Sequence, residues 1–258
     1  MFRIFKMLNQ LIKCFFIVLT LFFIHPHVLK AEQKEIIVAA DSWPPFRMIH
    51  KKPYAGIDFD LWEEVSKRLD LKIKFEVYPW SRILRNLRTG KVDAMSGLAK
   101  RDERAQYMHY TSVPYYSCSV VFYLKKGEGH LVKEYEDLYK YPIAYVSNSA
   151  YFERFDNDTK LNKHGVTAEI QLLKMLNKGH IKIIVGTDCN IDYDISRLGY
   201  ADKFEKAYYK PKNITDLYFV ISKKSPFSKE LSKINETIKE IIEEGKVKEF
   251  SQKYYNEQ

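Results

Sequence analysis

Cysteine is scarce in this chain, with three among 258 residues, and one of those, Cys14, sits near the N-terminus. There is no Cys-x-x-Cys pair, and the seven histidines are scattered, so the spacing of a structural zinc site or a thiol-redox motif is missing. Glycine and proline together number 19, too few for a fibrous or low-complexity chain. No run of 18 apolar residues occurs, so a spanning helix is not expected. A strong excess of one charge is also lacking. The balance is +9, but Arg3, Lys6, Lys13 and Lys30 account for four of it within 1–31, where there is no acid. The remaining surplus of five is spread over 227 residues in which basic and acidic side chains alternate. A nucleic-acid partner, which selects a clustered basic face, is not expected. What is present, 46% hydrophobic residues and 15% aromatics, describes a globular core.

The first 31 residues read as a leader. A basic start is followed by an apolar run of 11 residues, Cys14 to Ile24, then by His25-Pro26-His27 and a small residue, Ala31. That order is the pattern of a secretory signal cleaved near Ala31, and the run is too short to span a bilayer comfortably. The mature protein is therefore expected to be exported to the periplasm. Cys118 and Cys189 then remain. In an oxidising compartment either a disulfide or two buried thiols fits the sequence, since spacing alone does not give the Cα separation.

Strands and helices alternate. Glu35–Ala40 reads as a buried strand, 56–69 as a helix, 72–78 as a strand, 81–87 as a helix stopped at Thr89-Gly90, and 92–98 as a strand. The pattern resumes with a strand at 119–124, a helix at 133–140 and a strand at 142–146. A helix at 151–155, a strand at 166–170, a helix at 172–177 and strands at 181–185 and 216–221 follow. A long amphipathic helix closes the chain through Leu231, Ile234, Ile238, Ile241, Ile242, Val247 and Phe250. Two βαβ lobes plus a tail suit this length.

Several segments in fixed order carry a resemblance. They are Val38 to Phe46 with its Trp43-Pro44-Pro45-Phe46, Gly56 to Leu61, Gly90 to Ala94, Arg101 to Ala105, Thr111 to Tyr115, Tyr145 to Ser149, and Leu176 to Ile181. Over 35–255 the chain resembles the family 3 extracellular solute-binding proteins, periplasmic receptors of polar amino-acid ABC importers. The resemblance implies an α/β, two-lobed periplasmic-binding-protein fold of type 2. Each lobe would be an open mixed sheet flanked by helices, and a two-strand hinge would join them. Lobe one would be 32–114 with 213–258 returning to it, and lobe two 115–212. The ligand would be a small carboxylate-bearing solute, the partner an inner-membrane ABC permease, and the state a monomer with no cofactor or metal.

Site residues follow from the same resemblance. Arg104 takes the place of the arginine that grips the ligand carboxylate, a task suited to the bidentate guanidinium; Arg101 is its nearby substitute. Trp43 and Trp80 occupy places where aromatics lie against the ligand, with Tyr54 and Arg82 as further candidates and Phe46 assigned to the core. The usual hydroxyl before the arginine is missing from Gly97-Leu98-Ala99-Lys100-Arg101, which leaves the backbone of Gly97 and Ala99. Ser147, Asn148 and Ser149 supply the second lobe's polar turn. An acid for the ligand amine falls at Thr187 or Asp188, with Asp41 as the alternative, while Asp58 and Asp60 read as first-turn helix acids. Two other classes share the scaffold. A dehydratase would need a general acid in the cleft, a Glu or His with a shifted pKa, and the candidates His164 and His180 belong to no recognisable constellation. A sensory module would act through a separate membrane protein.

Overall fold

A computed structural model describes residues 33–50 and 52–256; the leader and its cleavage point at Ala31 lie outside the described residues. Among the described residues no helix is long and apolar enough to cross a membrane. Ten strands are present: β1 (Glu35–Ala40), β2 (Lys72–Val77), β3 (Ala94–Ala99), β4 (Met108–Tyr110), β5 (Tyr116–Lys125), β6 (Ile143–Val146), β7 (Lys163–Val166), β8 (Ile183–Thr187), β9 (Phe204–Lys206) and β10 (Ile214–Ser222). The α-helices are α1 (Ile57–Leu69), α2 (Trp80–Thr89), α3 (Asp102–Ala105), α4 (Glu153–Asn157), α5 (Glu169–Lys178), α6 (Asp188–Arg197), α7 (Leu231–Glu243) and α8 (Lys246–Asn256).

The strand order is β2-β1-β3-β10-β5-β8-β6-β7, with β4 beside β10 and β9 beside β5. Strands β1, β2 and β3 run parallel, as do β6, β7 and β8, whereas β10 and β5 run antiparallel to their neighbours. One strand serves both lobes: Tyr116 to Ser119 of β5 pair with β10, and Val120 to Tyr123 pair with β8. Parallel strands need cover on both faces, and the apolar residues supply it. On one side of the first sheet Trp62, Phe219, Ile234 and Ile238 pack with Val38 and Phe46. On the other, Ile83, Leu87, Met95 and Val220 pack with Ala39 and Leu98. The second sheet is covered by Tyr135, Phe152 and Phe155 on one face and by Leu172, Leu176 and Ile191 on the other.

Three expectations need correction. The strand placed at 166–170 is instead β7, Lys163–Val166, and the chain enters α5 at Glu169. The Gln171 side chain accepts bonds from the Thr167 N–H and hydroxyl, which fixes that helix start. The single terminal helix is two, because Gly245 adopts φ 76°, a left-handed conformation that glycine takes without steric cost, and breaks it between α7 and α8. The segment from Lys133 to Lys140 is a 3₁₀ helix over Tyr135–Lys140 rather than an α-helix. Helix α6 has no counterpart in the sequence reading, since Ile191, Tyr193 and Ile195 alternate like a strand.

Cys118 and Cys189 form a disulfide with Cα atoms 5.6 Å apart, joining β5 to the first turn of α6. The two cysteines are 71 residues apart in sequence. Closing a loop of that size removes denatured-state entropy worth up to about 4 kcal/mol, roughly 10 °C in Tm for a chain of this length. Replacing both cysteines by serine should therefore lower Tm by several degrees in a thermal melt. An unchanged Tm would mean that the bridge contributes nothing to the folded protein.

Candidate functional site

A cavity of about 80 Å³ lies where strand ends of both sheets converge. It is the scale of one small solute, well below the 300–1,000 Å³ typical of drug-sized sites. Asp41, Ser42 and Trp43 follow β1, Gly97 and Ala99 end β3, and Thr215 and Leu217 come from β10. From the other side Ser149 and Tyr151 follow β6, Thr167 and Glu169 follow β7, and Thr187 ends β8. Carboxyl ends of parallel strands are where α/β sheets bind ligands.

One wall is built around Arg47, which is only 4% exposed. Its Nε and Nη2 donate to Asp41 Oδ1 at 3.0 and 2.8 Å, and its Nη1 donates to Asp58 Oδ2 at 2.5 Å and to the Ser96 carbonyl at 3.1 Å. The Tyr115 hydroxyl donates to the other Asp58 oxygen at 2.6 Å, and Trp62 Nε1 to Ser96 Oγ at 3.1 Å. Burial alone would depress the Arg47 pKa, but Asp41 and Asp58 outweigh it and hold the pKa above the ordinary arginine value. Gly97 makes room for this group: it has φ 83°, and a Cβ there would lie 2.5 Å from Arg47 Nη1. Trp43 is engaged too, with Phe46 stacked on it at 4.5 Å and the Arg47 guanidinium over its ring at 5.1 Å.

Arg104 is equally buried, at 4% exposed, but its surroundings differ. Its Nη1 donates to the Ala99 carbonyl at 3.0 Å and its Nη2 to the Asn148 carbonyl at 2.6 Å. Its guanidinium lies over the Trp80 ring at 5.3 Å. No carboxylate pairs with it among the described residues. Burial pulls its pKa below the ordinary arginine value, and the like charge of Arg101 adds to the effect. Two buried arginines thus shift in opposite directions, because one is ion-paired with two carboxylates and the other is hydrogen-bonded to carbonyls.

The second lobe contributes Glu169, the first residue of α5. Its Oε2 is shut off from solvent and has no hydrogen-bond partner. Burial, with the like charges of Asp194 and Asp41 adding to it, pushes its carboxyl up to about 8. Three further cavity atoms are buried and unpartnered: Trp80 Nε1, Thr187 Oγ1 and Thr215 Oγ1. Buried polar atoms are ordinarily satisfied, so their concentration on one cavity marks a surface shaped for a polar molecule.

The structure brings together Asp41, Trp43, Trp80, Gly97, Ala99, Arg104 and Ser149 of the expected residues. Asp41 is already bonded to Arg47, and the Ala99 carbonyl to Arg104. Asn148 reaches the site through its carbonyl, while its side chain bonds Ser81 Oγ; Ser147 does not line the cavity. Tyr54 lies apart, against Phe59, and Arg82 is exposed over Tyr78. Asp188 also stands outside the cavity, because its Oδ1 accepts from the N–H groups of Ser119 and Cys189. His164 and His180 are exposed and absent from the lining. Arg101 bridges the lobes instead, donating to Asp156 at 2.6 Å and to the Ser149 carbonyl at 3.0 Å. Arg47 and Glu169 escaped the sequence reading. For Glu169 the available sign was Thr167 and Gln171 flanking it before the apolar run from Leu172, a helix-start pattern.

The pKa of Glu169 fixes the direction of a pH effect. Between about pH 4.5 and 8 the unfolded chain releases this proton while the folded chain keeps it, so rising pH weakens folding. Glu169→Gln removes that dependence. In thermal melts without added ligand, the variant should gain on the wild type as pH rises from about 5 to about 8. A Tm difference that stays constant across this range would contradict the burial of an uncompensated carboxyl.

With this geometry in view, comparison with known proteins is informative. The probable amino-acid-binding protein YxeM of Bacillus subtilis (strain 168) is 26% identical over 217 residues, covering 83% of this chain and 80% of its own. The arginine-binding periplasmic protein of Mannheimia haemolytica is 31% identical over 101 residues, 38% of this chain and 42% of its own. Among solved structures, the arginine-, lysine-, histidine-binding protein ArtJ of Geobacillus stearothermophilus superposes with a TM-score of 0.72. It is 23% identical, with 86% of this chain and 96% of that one covered, a likeness of fold. The model of the bacterial extracellular solute-binding proteins, family 3, matches residues 36–257. Two lobes, strand-end cavity and matched length agree, and this chain belongs to that family.

Proposed function

We propose that the protein captures an amino acid or a related small carboxylate-bearing solute between its lobes and delivers it to the inner-membrane permease of an ABC importer. In this reading it works in the periplasm, as a monomer without a cofactor, after removal of the leader near Ala31. Residues 32–114 with 213–258 form one moving body and 115–212 the other. The hinge is where β5 leaves one sheet for the next, beside β10. The amino-acid-binding relatives support the ligand class.

The observation that carries the reading is Arg104, a buried guanidinium that faces the cavity and forms no ion pair among the described residues. A ligand carboxylate would supply the missing charge in a geometry suited to paired hydrogen bonds. Closure places it there, because the Asn148 carbonyl that meets Arg104 belongs to the opposite lobe. Trp43 and Trp80 then act as walls that hold the two arginines in place and exclude water, and Trp80 Nε1 is a further donor. Binding rather than turnover is favoured by the relatives, which are named for amino-acid and arginine binding. Once an amino acid that raises Tm is found, calorimetry on Arg104→Ala should show an affinity loss of about 2–5 kcal/mol, some 30-fold or more. Wild-type affinity in a folded Arg104→Ala protein would remove the carboxylate assignment.

A further inference from the structure

Arg104 accounts for one end of a ligand, and the opposite lobe carries an equally unusual group. Glu169 Oε2 is buried on the cavity and bonded to nothing. The charged groups that act on it are Asp194 and Asp41, both acids. Each is matched elsewhere, Asp194 by Arg197 at 2.7 Å and Asp41 by Arg47 at 2.8 Å. Among the described residues no cation forms an ion pair with Glu169. The alternatives for an acid on this side are spent: Thr187 offers a hydroxyl, and Asp188 is committed to backbone N–H groups outside the cavity. We propose that Glu169 is the ammonium anchor of this cavity and that its ligand is a zwitterionic amino acid whose side chain carries no positive charge.

The second half of the proposal rests on Arg47. A cationic side chain selects acids and an aromatic face. The wall that offers them, Asp41, Asp58 and Trp43, already holds the protein's own guanidinium, bonded to both carboxylates and lying over the ring. A ligand cation placed there would be repelled by the Arg47 guanidinium, which already occupies Asp41 Oδ1 and Asp58 Oδ2. A neutral side chain meets no such repulsion. Arg104 and Glu169 are then one unlike-charged pair of contacts, one from each lobe, and a zwitterion satisfies both on closure. The acid stands in the first turn of α5, and a ligand ammonium beside it would favour the ionised form that burial otherwise disfavours.

The proposal rests on the amino-acid reading above, and the test separates the two. The probes are the proteinogenic L-amino acids in a thermal-shift screen. Calorimetry then compares the tightest binder with its 2-hydroxy acid, which keeps carboxylate and side chain but replaces the ammonium by a hydroxyl. The tightest binder should have an uncharged or acidic side chain, and its hydroxy acid should bind wild type at least about 30-fold more weakly. Glu169→Gln should lose a similar factor for the amino acid while changing hydroxy-acid affinity by less than about threefold, which also shows that the variant folds and keeps its carboxylate grip. Equal affinity of wild type for both compounds, or unchanged amino-acid affinity in Glu169→Gln, overturns the anchor. L-arginine or L-lysine as the tightest binder overturns the side-chain assignment. Loss of binding in Arg104→Ala but not in Glu169→Gln would overturn the anchor and leave the amino-acid reading intact. No response to any amino acid would overturn both.

Discussion

Two buried arginines face one cavity, and they differ in what neutralises them. Arg47 is enclosed by Asp41, Asp58 and the Ser96 carbonyl, with Tyr115 securing the far oxygen of Asp58. Removing water from such a charge is costly unless it is paired and its hydrogen bonds are met, and here they are met. The consequences spread outward. The guanidinium fixes the turn from Trp43 to Arg47, covers the Trp43 ring, and leaves space only for a glycine at 97. The wall around Arg47 is thus a finished surface, held by hydrogen bonds within the protein.

Arg104 and Glu169 are the unfinished part. Arg104 is buried and Glu169 half-buried with Oε2 shut off from solvent, neither forms an ion pair among the described residues, and their pKa values move in the directions that disfavour charge. A molecule bearing both signs relieves both costs at once, while a molecule bearing one relieves half. Closure itself has its own supports. Arg101 reaches Asp156, Asn148 reaches Ser81, and the Asn190 side chain donates to the Pro44 carbonyl. These contacts lie around the cavity rather than in it. The lobes therefore have a way to meet that is independent of the ligand, and Arg104 and Glu169 set which ligand makes meeting favourable.

Much of this architecture is legible in the sequence. Apolar runs such as Ile36 to Ala40 and periodic stripes such as Ile234, Ile238 and Ile241 report burial directly, since each element must hide one face or both. Arg104 is legible by its place in an ordered set of motifs. Glu169 is not, because the stretch around it alternates like a strand and a strand would have turned it to solvent or core at random. Asp188 misleads for a related reason: it follows β8 at the expected place, but as the first residue of α6 its carboxylate turns back to cap N–H groups of its own surroundings. Arg47 is invisible for a third reason. Its partners Asp41 and Asp58 belong to different elements, and only the tertiary fold brings them to one side chain. Local pattern locates elements; charge balance in a cavity is a property of the assembled fold.

The most direct test of the account is a crystal structure of the protein with its tightest-binding amino acid. The account predicts the ligand carboxylate within about 3 Å of the Arg104 guanidinium and its ammonium within about 3 Å of Glu169, with Arg47 still bonded to Asp41 and Asp58. A ligand whose carboxylate lies elsewhere, or whose ammonium is held by Asp41 after Arg47 has moved away, would contradict it.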